Sequence, residues 1–351
     1  MKVYENVSLS SKTTIALGGK AKYFIECFSN EDIISAVEFS KSKNLPFYIL
    51  SGGSNIIFPD NDLNIVIIKI LSKGISKTEN ENEVIIECDA GENWDSFVEY
   101  CISEGLSGVE CLSGIPGSVG ATPIQNVGAY GQEVKDVINS VKCIDNENFE
   151  TKIFTNEDCE FDYRQSRFKG RDKNKYIITS VNFRFQKNKE PEIKYPELQK
   201  QIESIPEFKN TKDLIEKLSI IRNTVISIRK SKSMVLDSSD INSRSCGSFF
   251  MNPVLTETDF KNFINKFQNL NPPHFKSKEK YKIPAAWLIE KSGFTKGFRY
   301  KGVGISENHS LALVNYEGTS EQIKELSSEI INTVKDKFHI LLHPEPEIFN
   351  I

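Results

Sequence analysis

The sequence predicts an α+β protein in three parts, and three observations carry that reading. Helical and strand periods follow one another along the whole chain instead of settling into one class. The composition turns polar and proline-bearing between Gln186 and Gln199, as a linker or excursion does. The 351 residues exceed one ordinary hydrophobic core and suit two or three domains.

In order along the chain, residues 31–43 are predicted as a helix after a cap at Asn30, with Ile33, Ile34, Val37 and Phe39 apolar. Leu45-Pro46-Phe47-Tyr48-Ile49-Leu50 reads as a buried strand. It runs into the sharp turn Ser51-Gly52-Gly53-Ser54-Asn55 and then into Ile56-Ile57-Phe58. Residues 84–88 form a second strand. Trp94, Phe97, Val98, Cys101 and Ile102 then make a helical stripe, which Gly105 should terminate. Val181, Phe183 and Phe185 alternate with Ser180, Asn182 and Arg184, a half-buried strand by period. A helix is expected over 213–228, with Leu214, Leu218, Ile221 and Val225 on one face. Beyond it lie Gly247-Ser248-Phe249-Phe250, a helix over 285–292, a strand over 311–314 and a last helix over 321–338. That last helix buries Ile323, Leu326, Ile330, Val334 and Phe338.

Charge excludes several functions. Lys+Arg is 44 and Asp+Glu is 48, a net −4 that offers no footprint for nucleic acid or for an anionic membrane. No apolar run approaches the roughly 20 residues of a spanning helix, and residues 1–6 have no signal-peptide character. The seven cysteines contain no C-x-x-C pair, which argues against a disulfide framework and a zinc site. A cytoplasmic, metal-free monomer is expected.

Two glycine-rich stretches carry backbone chemistry. In Ser51-Gly52-Gly53-Ser54-Asn55 adjacent glycines let successive N–H groups converge on one anion, although the residues alone also suit a plain tight turn. From Cys111 to Gly131 the chain packs five glycines and two prolines with few charges, as backbone lying against a flat ligand or another chain segment would. The spacing Gly114-x-x-Gly117-x-x-Gly120 is not the G-x-G-x-x-G dinucleotide fingerprint, which disfavours a Rossmann site.

Together these stretches resemble the flavin-binding domain of the UDP-N-acetylenolpyruvoylglucosamine reductases, of the same broad fold as the vanillyl-alcohol-oxidase (PCMH-type) flavoproteins. The resemblance implies non-covalent FAD, with its pyrophosphate near Ser51, Gly52, Gly53, Ser54 and Asn55. Ser113, Ile115, Pro116, Gly117, Ser118, Gly120, Ala121, Gln125, Asn126, Gly128, Ala129, Tyr130 and Gly131 would line the rest.

Three further segments extend it. Tyr163-Arg164-Gln165-Ser166-Arg167-Phe168-Lys169 looks like the family's Y-R-x-S-x-F-K motif, which makes Arg164 the arginine beside the substrate carboxylate; Gln165 stands where the family usually has Asp. Gly247-Ser248-Phe249-Phe250-Met251-Asn252-Pro253 resembles G-S-F-F-x-N-P, which makes Ser248 the proton donor and Asn252 a nucleotide-sugar contact. Leu342-His343-Pro344-Glu345-Pro346-Glu347 is similar to the L-x-P-E ending, with Glu345, or Glu347 two residues on, as the catalytic glutamate. The resemblance also suggests Tyr195, Lys232, Lys296 and His309 as substrate-binding residues, Tyr195 marking the variant with a tyrosine-bearing substrate loop. Read by themselves, these side chains suit ordinary packing or solvated faces as well. The family's usual Asn-Thr-Phe-Gly type opening is replaced here by Lys12-Thr13-Thr14-Ile15-Ala16-Leu17-Gly18-Gly19.

The organisation so implied is a first FAD-binding subdomain over 1–70, a second over 71–188, a linker with substrate loop and helix over 189–229, a substrate-binding domain over 230–345 and a tail over 346–351. The implied activity is NADPH-dependent reduction of UDP-N-acetylglucosamine enolpyruvate to UDP-N-acetylmuramate in peptidoglycan synthesis. The rivals are a flavin oxidase of the same fold and a non-catalytic flavin or sugar-nucleotide sensor. The first histidine is His274, so no histidyl flavin tether can form in the N-terminal half.

Overall fold

The computed structural model describes residues 1–277 and 279–349; positions 350 and 351 of the expected tail lie outside the described residues. The chain divides into two units. The larger comprises Met1–Val7, Ala21–Gly52 and Leu63–Val235; the smaller comprises Ser8–Lys20, Gly53–Asp62 and Leu236–Ile351.

The larger unit contains two sheets. In the first, strands run in the order Lys2–Ser8, Lys20–Cys27, Leu63–Ile70, Phe47–Ile49. Leu63–Ile70 pairs in parallel with both of its neighbours, and its burial is nearly continuous rather than alternating. That is what a central parallel strand covered on both faces requires, and the run Ile65-Val66-Ile67-Ile68 supplies it. The helix Asn30–Ser42 connects two of these strands. Its cap is Ser29, whose side chain accepts from the Asp32 N–H, and not Asn30, which is the first helical residue. The strand expected over 45–50 is shorter, Phe47–Ile49, and half-buried.

The second sheet is antiparallel throughout, in the order Thr151–Thr155, Ile138–Asp145, Tyr176–Gln186, Glu83–Asp89, Ile75–Glu79. Tyr176–Gln186 sends Val181, Phe183 and Phe185 into the core. There Phe183 meets the helix Trp94–Ser103, its ring centroid 4.5 Å from that of Phe97 and 6.2 Å from that of Trp94. All five residues of the predicted stripe on that helix are buried, and Gly105 follows it at φ +67°. The edge strand Ile75–Glu79 is exposed along its length and carries Lys77, which discourages pairing with another chain.

The stretch read as a linker contains two helices, Pro196–Glu203 and Pro206–Asn210. Proline stands at the first turn of each, where its missing N–H costs nothing. Leu198 and Ile202 pack with Ile221, Val225 and Ile228 of the long helix Leu214–Ser231, together with Cys111.

The smaller unit gathers two early segments with the C-terminal third. Ile15, Leu17 and Ile57 join the core built by the helix Ser320–Phe338. That helix buries Ile323, Leu326, Ile330, Val334 and Phe338, as its period predicts. The Asn315 amide donates to the carbonyls of Ile15 at 3.1 Å and Ala16 at 3.3 Å, tying the opening segment to the strand Leu313–Asn315. The short strand Glu347–Ile348 pairs in parallel with Ile56–Ile57. A further helix, Glu257–Lys266, was not expected; Thr256 caps it by accepting from the Asp259 N–H. All seven cysteines are free and buried. Among the described residues no helix is long and apolar enough to cross a membrane, and no His/Cys/Asp/Glu group could hold a metal ion.

Candidate functional site

In the larger unit the expected cofactor segment is a packed, half-buried run of turns, not a surface loop. Left-handed backbone recurs along it, at Gly114 (φ +71°), Gly117 (+136°), Asn126 (+47°), Tyr130 (+48°) and Gly131 (+86°). Gly52 and Gly117 approach so closely that a Cβ on Gly52 would lie 2.8 Å from the Gly117 Cα. Beside them the Ser51 and Ser118 hydroxyls are 2.7 Å apart, and the Ser118 N–H donates to Ser51 Oγ at 2.9 Å. Lys69 Nζ donates to the Ser51 carbonyl.

Polar side chains that sequence reading did not single out fix this run. Asp95 accepts from the Gly114 N–H at 2.6 Å and from both terminal nitrogens of Arg222, at 2.6 and 2.9 Å. Burial alone would raise the Asp95 carboxyl, but these donors hold it below the ordinary carboxylate range. Glu110, fully buried, accepts from Ser107, from the Gly108 N–H and from Gln132, whose own oxygen accepts from the Cys111 N–H. The Ser113 hydroxyl donates to the Glu110 carbonyl. Asn126 is buried, with its amide donating to Glu133 at 2.8 Å and to the Asp162 carbonyl at 3.0 Å. Its side chain therefore secures the segment.

Arg164 sits at φ +55°, a conformation that non-glycine residues rarely adopt and that concentrates at functional positions. Its Nη2 donates to the Gly128 carbonyl at 2.7 Å, which ties the arginine to the glycine-rich run. The Gln165 side chain is exposed.

Tyr130 and Tyr195 meet edge to face, centroids 5.3 Å apart. Burial pushes the Tyr130 phenol up to about 12, with Arg229 pulling it down and Glu197 and Tyr195 pushing it up. Lys232 binds both oxygens of Glu197, at 3.0 and 2.8 Å. Arg229, in the run Arg229-Lys230-Ser231-Lys232, was also missed. Burial lowers its guanidinium, Nη2 donates to the Met234 carbonyl, and its buried Nε has no hydrogen-bond partner among the described residues.

In the smaller unit, residues 249–251 are bonded through their backbone on two sides. The Phe249 N–H donates to the Leu311 carbonyl at 2.7 Å, and the Glu345 N–H donates to the Phe249 carbonyl at 2.8 Å. Phe250 bridges Pro344, and the Met251 N–H donates to the His343 carbonyl. Phe249 and Phe250 are buried, so Ser248 stands on a fixed base. Its Oγ lies 3.2 Å from His309 Nε2. The tail is thus tied into the unit, with Glu345 and Glu347 half-buried. Asn55 links to both: its amide donates to the Glu345 carbonyl at 3.4 Å and its carbonyl accepts from the Glu347 N–H at 2.9 Å. Gly53 (φ +64°) is locked against the opening segment, where a Cβ would fall 2.0 Å from the Lys12 carbonyl oxygen. The Asn252 side-chain oxygen accepts from the Ala285 N–H at 2.9 Å, at the start of the helix Ala285–Lys291. Lys296 is exposed.

Residues 21–148 match an FAD binding domain, and residues 239–349 match the UDP-N-acetylenolpyruvoylglucosamine reductase C-terminal domain. The chain is 39% identical to the UDP-N-acetylenolpyruvoylglucosamine reductase of Thermobifida fusca, over 99% of this chain and 98% of the relative. It is 38% identical to that of Flavobacterium johnsoniae, over 99% and 100%. Among solved structures, the Thermus caldophilus enzyme of that name superposes with a TM-score of 0.66 at 21% identity, covering 100% of both chains, a likeness of fold. The architecture is accordingly an FAD-binding domain of the vanillyl-alcohol-oxidase/PCMH type with the reductase C-terminal domain. The chain belongs to the UDP-N-acetylenolpyruvoylglucosamine reductases, FAD flavoprotein oxidoreductases of peptidoglycan synthesis.

Proposed function

We propose that the chain reduces UDP-N-acetylglucosamine enolpyruvate to UDP-N-acetylmuramate with NADPH in the cytoplasm, acting as a monomer of the variant that carries a tyrosine in its substrate loop. The observation that carries this reading is similarity to the reductase along the whole chain, at 39% identity. The FAD residues fit by their chemistry: Gly52 against Gly117 offers backbone rather than side chains to a pyrophosphate, and Ser51 and Ser118 add hydroxyls there. Bound FAD would relay a hydride from NADPH to the enolpyruvyl methylene carbon.

Arg164 presents a planar fork to the substrate carboxylate and stabilises charge spreading onto it. Ser248 Oγ gives a proton to the carbon next to the methylene; a hydroxyl is a weak acid, but an enolate carbon is basic enough to take it at hydrogen-bond range. Glu345, rather than Glu347, is the carboxyl assigned to this step, because its own backbone bonds to the residue after Ser248. Tyr195, Lys232, Asn252 and Lys296 are assigned to the nucleotide-sugar, with Lys232 meeting phosphate.

The test is product analysis. Purified protein given NADPH and the enolpyruvyl sugar should yield UDP-N-acetylmuramate by mass spectrometry, with NADPH loss dependent on the sugar. NADPH loss that consumes oxygen and forms no lactyl sugar would overturn the reading in favour of an oxidase.

A further inference from the structure

We propose that His309 is a positioning residue for Ser248: its Nε2–H donates to Ser248 Oγ, leaves the hydroxyl hydrogen directed at substrate, and stabilises the charge left on Oγ when that proton departs. The inference deepens the reading above and rests on Ser248 being the proton donor.

The geometry is a hydrogen bond of 3.2 Å between Ser248 Oγ and His309 Nε2, made between two backbone segments that are each fixed. The Phe249 N–H is bonded to the Leu311 carbonyl, so the segment after Ser248 lies alongside the loop that carries His309. The Ala312 N–H closes a turn onto the His309 carbonyl at 3.1 Å. Ser310 is buried and its hydroxyl is bonded to Glu290, on the helix Ala285–Lys291, which pins the loop from behind. On the other side, the Ser245 hydroxyl accepts from the Gly247 N–H at 3.2 Å.

A serine hydroxyl carries one hydrogen. If that hydrogen pointed at the imidazole, it could not be the one delivered to carbon. A proton-donating Ser248 therefore requires Nε2 to be the donor, which both the Nε2–H tautomer and the imidazolium satisfy. In the step itself the Ser248 O–H bond breaks and its electron pair stays on Oγ. A C–H bond forms with the electron pair of the enolate carbon. The negative charge on Oγ is met by the Nε2–H, and a proton from solvent then restores the hydroxyl. A donor aimed at the atom where charge develops is the same device as an oxyanion hole. His309 itself need not change protonation state.

The test separates positioning from substrate binding. Anaerobically reduced enzyme is mixed with the enolpyruvyl sugar, and flavin reoxidation is followed for the parent, His309→Leu, His309→Gln and Ser248→Ala. The sugar's dissociation constant for each oxidised protein is measured by flavin spectral perturbation. Hydrogen bonds to charged groups predict that His309→Leu slows limiting reoxidation roughly 10- to 100-fold. Reduction by NADPH, FAD content and the dissociation constant should stay near parental values. His309→Gln, whose amide N–H can donate to the same oxygen, should recover most of the rate. Unchanged limiting reoxidation in His309→Leu, or a loss confined to the dissociation constant, overturns the inference and makes the histidine a substrate contact only. Glutamine behaving as badly as leucine overturns it too. If Ser248→Ala itself reoxidises at the parental rate, the proton-donor reading fails, and the role of His309 falls with it.

Discussion

The two units carry their site residues in opposite ways. In the larger, the expected cofactor segment is made of backbone: left-handed turns at Gly114, Gly117, Tyr130 and Gly131, with polar side chains such as Asp95, Glu110 and Asn126 engaged in holding the chain. In the smaller, apart from the left-handed Gly53, the residues proposed for the chemistry are side chains, Ser248 and His309, beside a buried pair of phenylalanines whose backbone is bonded on both sides. A surface made of backbone can be altered only by moving the chain. A side chain on a backbone bonded from both sides can be removed while that backbone stays. Substitutions in the larger unit should therefore cost binding and stability, and those in the smaller should cost rate.

The largest expected effect is that of Ser248→Ala. Loss of a positioned proton donor lowers kcat by roughly a hundredfold to ten-thousandfold, and FAD content and melting temperature should stay at parental values. A variant that melts early or loses flavin would break the comparison, because Ser248 would then be structural.

Arg164→Lys comes next and tests the exception, a chemical side chain in the larger unit. Lysine keeps the charge but lacks the planar fork, so kcat/KM for the enolpyruvyl sugar should fall about a hundredfold. Reduction by NADPH should not change. An equal loss in both half-reactions would assign Arg164 to holding the Gly128 turn, to which it is bonded.

Gly52→Ala probes the backbone surface. Its Cβ would sit 2.8 Å from the Gly117 Cα, so one turn must move. FAD affinity, read by fluorescence on dialysis, should weaken about tenfold, or about 1.4 kcal/mol, while Ser248-dependent steps in the reconstituted enzyme keep their rate.

Asp95→Asn gives the smallest effect and a pH signature. The Asp95 carboxyl is held low by Arg222 and the Gly114 N–H against a burial effect that raises it. Its folded pKa is thus below the unfolded value of about 3.9. The stability it contributes is complete above that pH and is lost as pH falls through the lower folded value. With a third of the side chain exposed, solvent screening limits this to about 1 kcal/mol. Acid melts should show the parent and Asp95→Asn converging as pH drops below about 4 and separating above it.

Sequence patterns revealed what depends on near neighbours. The stripe from Trp94 to Ile102 and that of the last helix are buried residue for residue, because an amphipathic period is itself the burial pattern. Pro196 falls in the stretch read as a linker but opens a helix, as Pro206 does further on, since proline is tolerated at the first turn. The signal for Glu257–Lys266, a threonine followed three residues later by an aspartate, was present and passed over. The assignment of Ser8–Lys20 and Gly53–Asp62 to the smaller unit was not legible, because the core they join is completed by residues far along the chain, such as Phe249, Leu288 and Ile323. Arg222 and Asp95 are 127 residues apart, and no local pattern marks them as partners. Motif resemblance named Ser248, but its pairing with His309 needed the structure.

The most direct test of the account is an anaerobic visible spectrum of the purified protein, taken first alone, then with NADPH, then with UDP-N-acetylglucosamine enolpyruvate. The account predicts a flavin band that bleaches with NADPH and returns on adding the sugar, with oxygen excluded throughout. A band that bleaches but returns only with oxygen would contradict the reductase assignment. A colourless protein that cannot be reconstituted with FAD would contradict the reading of both glycine segments.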